Sequence, residues 1–227
     1  DIDVNSAAGK AYLQAILDRF TENGVKYIRL DAAGYAIKKA GTRCFMLPET
    51  FEFIAALSEQ AKARGMVCLV EIHGYHQTQI EIAKRCDMVY DFALPPLVLH
   101  ALLSGSSRYL KNWLRMCPRN QITVLDTHDG IGIVDVGADP KDPKRAGLLD
   151  DGQLDALVEG IHSRSGGQSR LATGWAASNV DVYQVNSTFL DALGGDERAY
   201  LAARALQFFI PGIPQVYYVG LLAGEND

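Results

Sequence analysis

The sequence predicts an α/β fold built from parallel βα units. Short apolar runs of strand length alternate with longer segments whose apolar residues recur at helical spacing. Acidic residues stand directly after several of the short runs, and glycine closes several helical ones. At 227 residues, 48% hydrophobic and 22% charged, the chain is long enough for a substantial core. Both a doubly wound sheet and part of a (β/α)8 barrel fit this alternation. GxGxxG and GxxxxGK[ST] are absent, which removes the usual phosphate-binding loops of an open sheet.

The elements follow in order. Residues 8–20 place Tyr12, Ile16 and Phe20 at helical spacing, and Asn23-Gly24 ends that helix. Residues 25–30 form a short strand. Residues 48–64 carry Phe51, Ile54, Leu57 and Ala61 on one face and stop at Gly65. The run 66–70 (MVCLV) is apolar throughout, as in a strand buried on both faces. A short helix at 80–85 and a brief strand at 88–90 lead to Asp91 and the pair Pro95-Pro96. Helices are expected over 97–103 and 107–116, then a strand over 122–125. Residues 130–150, rich in Gly, Asp, Pro and Lys, read as a loop. A helix is expected over 151–163, a Gly/Ser-rich loop over 165–173 and a short strand or loop segment over 182–186. Asp196 and Glu197 open a helix running to residue 209, where acids suit the N-terminal dipole. Residues 215–219 (QVYYV) read as the last strand, its tyrosines packing inward.

The formal net charge of −5 offers no basic field, so neither nucleic acid nor an anionic membrane surface is an expected partner. No apolar run reaches the roughly 18 residues of a membrane span, and no basic segment followed by an apolar one opens the chain. Cys44, Cys68, Cys86 and Cys117 lie far apart without CxxC spacing, and read as buried thiols of a reducing, cytoplasmic compartment. Asn186-Ser187-Thr188 matches a glycosylation sequon that such a compartment would leave unused.

Acids end three of the apolar runs: Asp31 after YIRL, Glu71 after MVCLV, and Asp126 with Asp129 after ITVL. Singly, each reads as a turn or helix cap. Together they are harder to read as caps, because each has a basic or imidazole neighbour: Arg29, His73 and His128. In a parallel barrel all three would face the C-terminal rim, where barrel enzymes keep their chemistry. Paired carboxylates suit glycosyl transfer, one attacking the anomeric carbon and one protonating the leaving oxygen. The proton-carrying role suits Glu71, behind an apolar strand. Arg29 lies two residues before Asp31, on the same side of a strand, and supplies a cation to a nucleophilic carboxylate. Ala32, Ala33 and Gly34 leave room for a sugar ring.

YIRLDAAGY, LVEIHGY and TVLDTHDG, in this order and spacing, resemble the α-amylase clan of glycoside hydrolases. YDFALPPLVLHALLSG, ASNVDVYQVNSTF and FFIPGIPQVYYVGLLAGEND resemble the sucrose phosphorylase subgroup of that clan, and with TVLDTHDGIGIVDVG they cover most of the chain. The resemblance implies a partial (β/α)8 barrel, roughly strands four to eight of the catalytic domain, over residues 1–227. It implies Asp31 as nucleophile, Glu71 as acid/base and Asp129 as transition-state stabiliser. Arg29, Tyr35, His73, His128, Asp181, Tyr183 and Gln184 would bind substrate, the last three from a loop lining the acceptor site. The implied partners are sucrose, inorganic phosphate, α-glucose 1-phosphate and fructose, with no metal or organic cofactor, and a homodimer is compatible with it. By the same resemblance the first barrel strands, a small inserted domain and a C-terminal domain lie outside this sequence, so the piece alone is expected to be inactive and poorly stable.

Alternatives remain at this level: a phosphorylase for glucosylglycerol, glucosylglycerate or sucrose 6-phosphate, an α-glucosidase or transglucosidase, or a non-catalytic sugar-binding module. Asp181 argues against a phosphorylated acceptor, and the presence of all three acids argues against a module without catalysis. His100 and His162 read as solvated or capping residues on helices, and His76 as a neighbour of Glu71 in sequence. Trp113 reads as core and Trp175 as a sugar-stacking candidate.

Overall fold

The computed structural model describes residues 2–174 and 178–226, so Trp175 lies outside the described residues. The chain divides into two compact units, Asp1–Ile72 with Gln79–Tyr90, and His73–Thr78 with Asp91–Asp227. Its strands and helices give an α/β fold with parallel strand pairing.

In the first unit, helix α1 (Ala7–Glu22) is capped by Ser6, whose hydroxyl accepts from the Gly9 N–H at 3.0 Å. The buried positions of α1 are Gly9 and Leu17. Tyr12 and Phe20, which share a face at helical spacing, are exposed. Gly24, at φ 72°, turns the chain after the helix. Strand β1 (Tyr27–Leu30) pairs in parallel with β2 (Val67–Val70), from Tyr27↔Val67 to Leu30↔Val70. Helix α2 (Pro48–Ala63) starts on a proline, whose missing N–H costs nothing there, and buries Ile54, Leu57 and Ala61 as its periodicity predicts. Helix α3 (His76–Ala83) precedes β3 (Met88–Asp91), which pairs with β2 through Leu69↔Met88 and Val70↔Val89. The apolar sides of β1, β2 and α2 close around Leu17, Ile28, Ile54, Cys68, Val70 and Val89.

The second unit holds helices α4 (Leu94–Ser104) and α5 (Arg108–Met116), strand β4 (Gln121–Thr123) and the two-residue β5 (Ile131–Gly132). Helices α6 (Asp151–Arg164) and α7 (Gln168–Thr173) follow, then β6 (Gln184–Val185), α8 (Phe189–Ala192), α9 (Glu197–Phe209), β7 (Ile213–Pro214) and α10 (Tyr218–Leu221). β4 pairs in parallel with β7, and β5 pairs antiparallel with β6. Trp113, Phe189, Leu97, Leu125, Leu154 and Ile161 are fully enclosed. α4 starts earlier than the sequence suggests because Pro95 and Pro96 fit a first helical turn. α6 opens on a capping box in which the Asp150 and Gln153 side chains each bond the other's backbone.

Several expectations are corrected. The Gly/Ser-rich segment 165–173 contains α7, which starts after Gly167 at φ 85°. The run 215–219 is not a strand: pairing ends with the Gln215 N–H on the Thr123 carbonyl, and α10 begins three residues later. Tyr218 is consequently exposed rather than packed inward. His100 and His162 are buried, not solvated. His162 Nδ1 lies 2.7 Å from the Ser169 hydroxyl, and the His100 ring meets Tyr109 edge-on. Cys68 and Cys117 are buried, whereas Cys44 and Cys86 are only half-buried. No helix among the described residues is long and apolar enough to cross a membrane.

Candidate active site

Each unit carries a group of the expected residues. In the first, Leu30↔Val70 is the last paired position of β1 and β2. The next residue on each strand is an acid, Asp31 and Glu71, so parallel register alone brings the two loops together. The Glu71 N–H donates to the Leu30 carbonyl at 3.0 Å, and the Ala32 N–H donates to Glu71 Oε2 at 2.7 Å. Ala32 holds a left-handed φ of 45°, a conformation in which a side chain costs energy. That turn aims its N–H at the carboxylate and leaves Asp31 facing outward.

Asp31 is exposed and Glu71 is buried, 7% accessible. Arg29 Nη1 meets Asp31 Oδ1 at 2.6 Å, the pairing expected from their spacing, and the guanidinium also lies over the Tyr90 ring. Tyr35 packs on Phe45 with ring centroids 4.7 Å apart, and Lys38 lies over its face. Arg29, Asp31, Tyr35 and Lys38 line a cleft of about 550 Å³. Gly34 approaches Phe45 and Met46 so closely that a Cβ would collide with the ring.

In the second unit, Asp126 and Asp129, three residues apart, have separate jobs. Asp126 is held by the buried guanidinium of Arg204, which also bonds Tyr200 and Gln207. Asp129 projects toward a cavity of about 490 Å³ that His128, Gln184, Asn186 and Tyr217 also line. His128 Nε2 stands 3.5 Å from Asp129 Oδ2. Gln184 bonds Asn186, whereas Asp181 turns away to accept from Ser178 at 2.7 Å. Asp181 and Tyr183 are not among the residues lining that cavity. Tyr183 instead sets its ring edge-on to His73, centroids 5.9 Å apart.

His73 is buried with Nδ1 2.7 Å from Asp135 Oδ2, and it stacks on Phe92 at 3.7 Å. Close to it in the same unit, Asp91 accepts from the Trp113 indole at 2.9 Å and from the Leu94 N–H at 3.1 Å. Burial pushes the Asp91 carboxyl up to about 7, with the charge of Asp135 adding to the effect. His76, buried against Tyr75 and Trp113, is pushed down to about 4 by burial and by Arg145. It is a packed neutral ring rather than a pocket residue. Sequence reasoning missed Asp135, Asp91 and Arg204. The signal for Asp135 was available: an acid enclosed by Ile133, Val134 and Val136 in IGIVDVG.

No protein-family profile matches the chain. Comparison with individual proteins nevertheless defines a class, since the chain is similar along its whole length to phosphorylases of sucrose. It is 64% identical over all 227 residues to the sucrose phosphorylase of Agrobacterium vitis and 54% identical to that of Bifidobacterium adolescentis, covering 46% and 45% of those proteins. The crystal structure of sucrose 6F-phosphate phosphorylase from Thermoanaerobacter thermosaccharolyticum matches with a TM-score of 0.85 at 42% identity, over 99% of this chain and 45% of that one. The chain is sucrose phosphorylase-like, and it spans about half the length of the curated relatives it matches.

Proposed function

We propose that the protein carrying this chain catalyses reversible phosphorolysis of sucrose to α-glucose 1-phosphate and fructose with retention at the anomeric carbon. The observation that carries the reading is the whole-length 64% identity to a sucrose phosphorylase, with an acid at the end of each of two paired parallel strands. On this reading the parallel strands are part of a (β/α)8 catalytic barrel, the protein works in the cytoplasm, and a homodimer is the assembly to look for.

Asp31 attacks the anomeric carbon of the glucosyl unit, and the bond to fructose breaks as Glu71 gives its proton to the departing oxygen. A covalent glucosyl ester on Asp31 results. Phosphate then attacks the same carbon from the side fructose left, Asp31 departs, and Glu71 accepts the proton of the incoming nucleophile. The accessible setting of Asp31 suits a group that must reach carbon, and Arg29 at 2.6 Å supports its orientation. Glu71, buried and tied to the Ala32 N–H, suits the proton carrier. Asp129 and His128 line a cavity of about 490 Å³, which has room for a hexose, and are assigned to sugar hydroxyls and to positive charge developing in the transition state. Tyr35 and His73 are assigned to the sugar pocket, and Asp181, Tyr183 and Gln184 to the acceptor side.

The test is product analysis on the protein as encoded, with sucrose in the presence and absence of inorganic phosphate. Phosphate-dependent α-glucose 1-phosphate is expected. Glucose and fructose released at the same rate without phosphate would make the protein a hydrolase. No reaction on sucrose would overturn the substrate and turn attention to sucrose 6-phosphate, glucosylglycerol and glucosylglycerate.

A further inference from the structure

We propose that Arg204 is a positioning residue for the reaction: by clamping Asp126 it sets the loop that aims Asp129 into the cavity. The clamp rests on geometry; the glucosyl group that Asp129 serves rests on the phosphorylase reading.

The loop is short and its tip faces solvent. Leu125, just before it, is fully enclosed, and β5 begins at Ile131, so residues 126–130 span the gap. At the tip the side chains of His128 and Asp129 are 59% and 38% exposed. The Asp129 N–H donates to the Thr127 hydroxyl at 3.1 Å, a bond within the loop itself. Asp126 differs: its side chain is 11% exposed and is paired with Arg204. That ion pair ties the loop to α9, three residues from the acid that lines the cavity.

Arg204 is fixed in turn. Its Nε and Nη2 donate to the Tyr200 hydroxyl at 3.1 and 2.7 Å, and its Nη1 donates to Gln207 Oε1 at 2.9 Å. The Tyr200 hydroxyl donates to the Gly220 carbonyl of α10. Gln207 Nε2 donates to the carbonyls of Thr123, in β4, at 2.8 Å and of Gln215, just after β7, at 2.9 Å. This stretch of α9 is thus fastened to both paired strands and to α10. A planar guanidinium reaches Tyr200, Gln207 and Asp126 at once, which the point charge of a lysine does not. Gly220 passes so close to Asp126 and Arg204 that a Cβ there would collide with both. Arg204 is not among the residues lining the cavity, so it acts on substrate only through what it holds.

A double-mutant cycle on the protein as encoded separates this role from plain stabilisation. Turnover of α-glucosyl fluoride is followed with and without inorganic phosphate, at a temperature where circular dichroism finds every variant folded. Arg204→Met should lower kcat about 10²-fold, the cost of misplacing a reacting group by about 1 Å, with little change in KM. In an Asp129→Asn background the same change should cost less than about fivefold, because no carboxylate is left to misplace. A role confined to stability removes the same fraction of active protein in both backgrounds. Equal losses would therefore overturn the proposal, as would an unchanged kcat in Arg204→Met. If Arg204→Met does not fold, Asp126→Asn, which keeps the shape and removes the charge, replaces it in the cycle. Its expected loss is about tenfold, and the same two outcomes count against the proposal. A non-additive cycle on turnover indifferent to phosphate would uphold the clamp and overturn the phosphorylase reading. Phosphate-dependent turnover with an additive cycle would do the reverse, and a native protein that transfers no glucosyl group would overturn both.

Discussion

In the first unit the acid expected to react, Asp31, lies open to solvent beside an arginine. In the second, Asp135 and Asp91 are sealed from solvent and bonded to an imidazole and an indole. The three groups share one chemistry and differ in setting. An exposed pair such as Arg29–Asp31 adds at most about 1 kcal/mol to stability, because water screens it and both side chains lose freedom. Removing one partner of a buried hydrogen bond leaves an unsatisfied polar group and costs about 1–3 kcal/mol, more where that group is charged. The accessible acid can therefore be given over to chemistry, while the buried acids hold their neighbours in one orientation.

The largest expected effect is on the open side of this contrast. Asp31→Asn should lower phosphorolysis by about 10⁴-fold or more while leaving the melting temperature almost unchanged. Kinetics and thermal denaturation of the protein as encoded check both halves, and an active variant would break the contrast. Glu71→Gln should cost about 10²–10⁴-fold, the range for a general acid, and a loss below tenfold would remove Glu71 from that role.

The buried side makes a prediction about pH. The Asp91 carboxyl is pushed from 3.8 to about 7, so the folded protein keeps a proton that the unfolded chain has already released. Its contribution to stability is present in full below about pH 4 and is lost as the pH rises through about 7, by on the order of 4 kcal/mol at most. Asp91→Asn keeps the Oδ1 bonds and removes the titration. Urea denaturation should find the variant gaining on the native protein between pH 5 and pH 8; an equal difference at both would show that Asp91 does not titrate in that range. The smallest effect concerns an exposed acid with a structural job. Asp196 accepts from the Arg198 and Ala199 N–H groups at the start of α9, and Asp196→Ala should cost about 1 kcal/mol, read from denaturation, without changing turnover.

What could be read from sequence follows the same division. Asp31 and Glu71 were legible because an acid after an apolar strand is a local pattern, and Arg29 because its spacing is local too. The bond between His73 and Asp135 crosses 62 positions in sequence and no periodicity announces it. The helices of strong period, such as α2, appeared where expected. α7 was hidden by its Gly/Ser composition, and α10 by Tyr217 and Tyr218, which favour strands although pairing with β4 stops at Gln215. His100 and His162 were misread because their partners, Tyr109 and Ser169, become neighbours only after the helices pack.

The most direct test of the account is to find where the glucosyl group is carried. The Glu71→Gln variant of the protein as encoded should be mixed with α-glucosyl fluoride, whose leaving group needs little protonation, then quenched in acid, digested and mapped by mass spectrometry. A glucosyl ester on the peptide containing Asp31, discharged by inorganic phosphate, is the predicted result. Turnover with no ester at Asp31, or with the ester on the peptide containing Asp129, would contradict it.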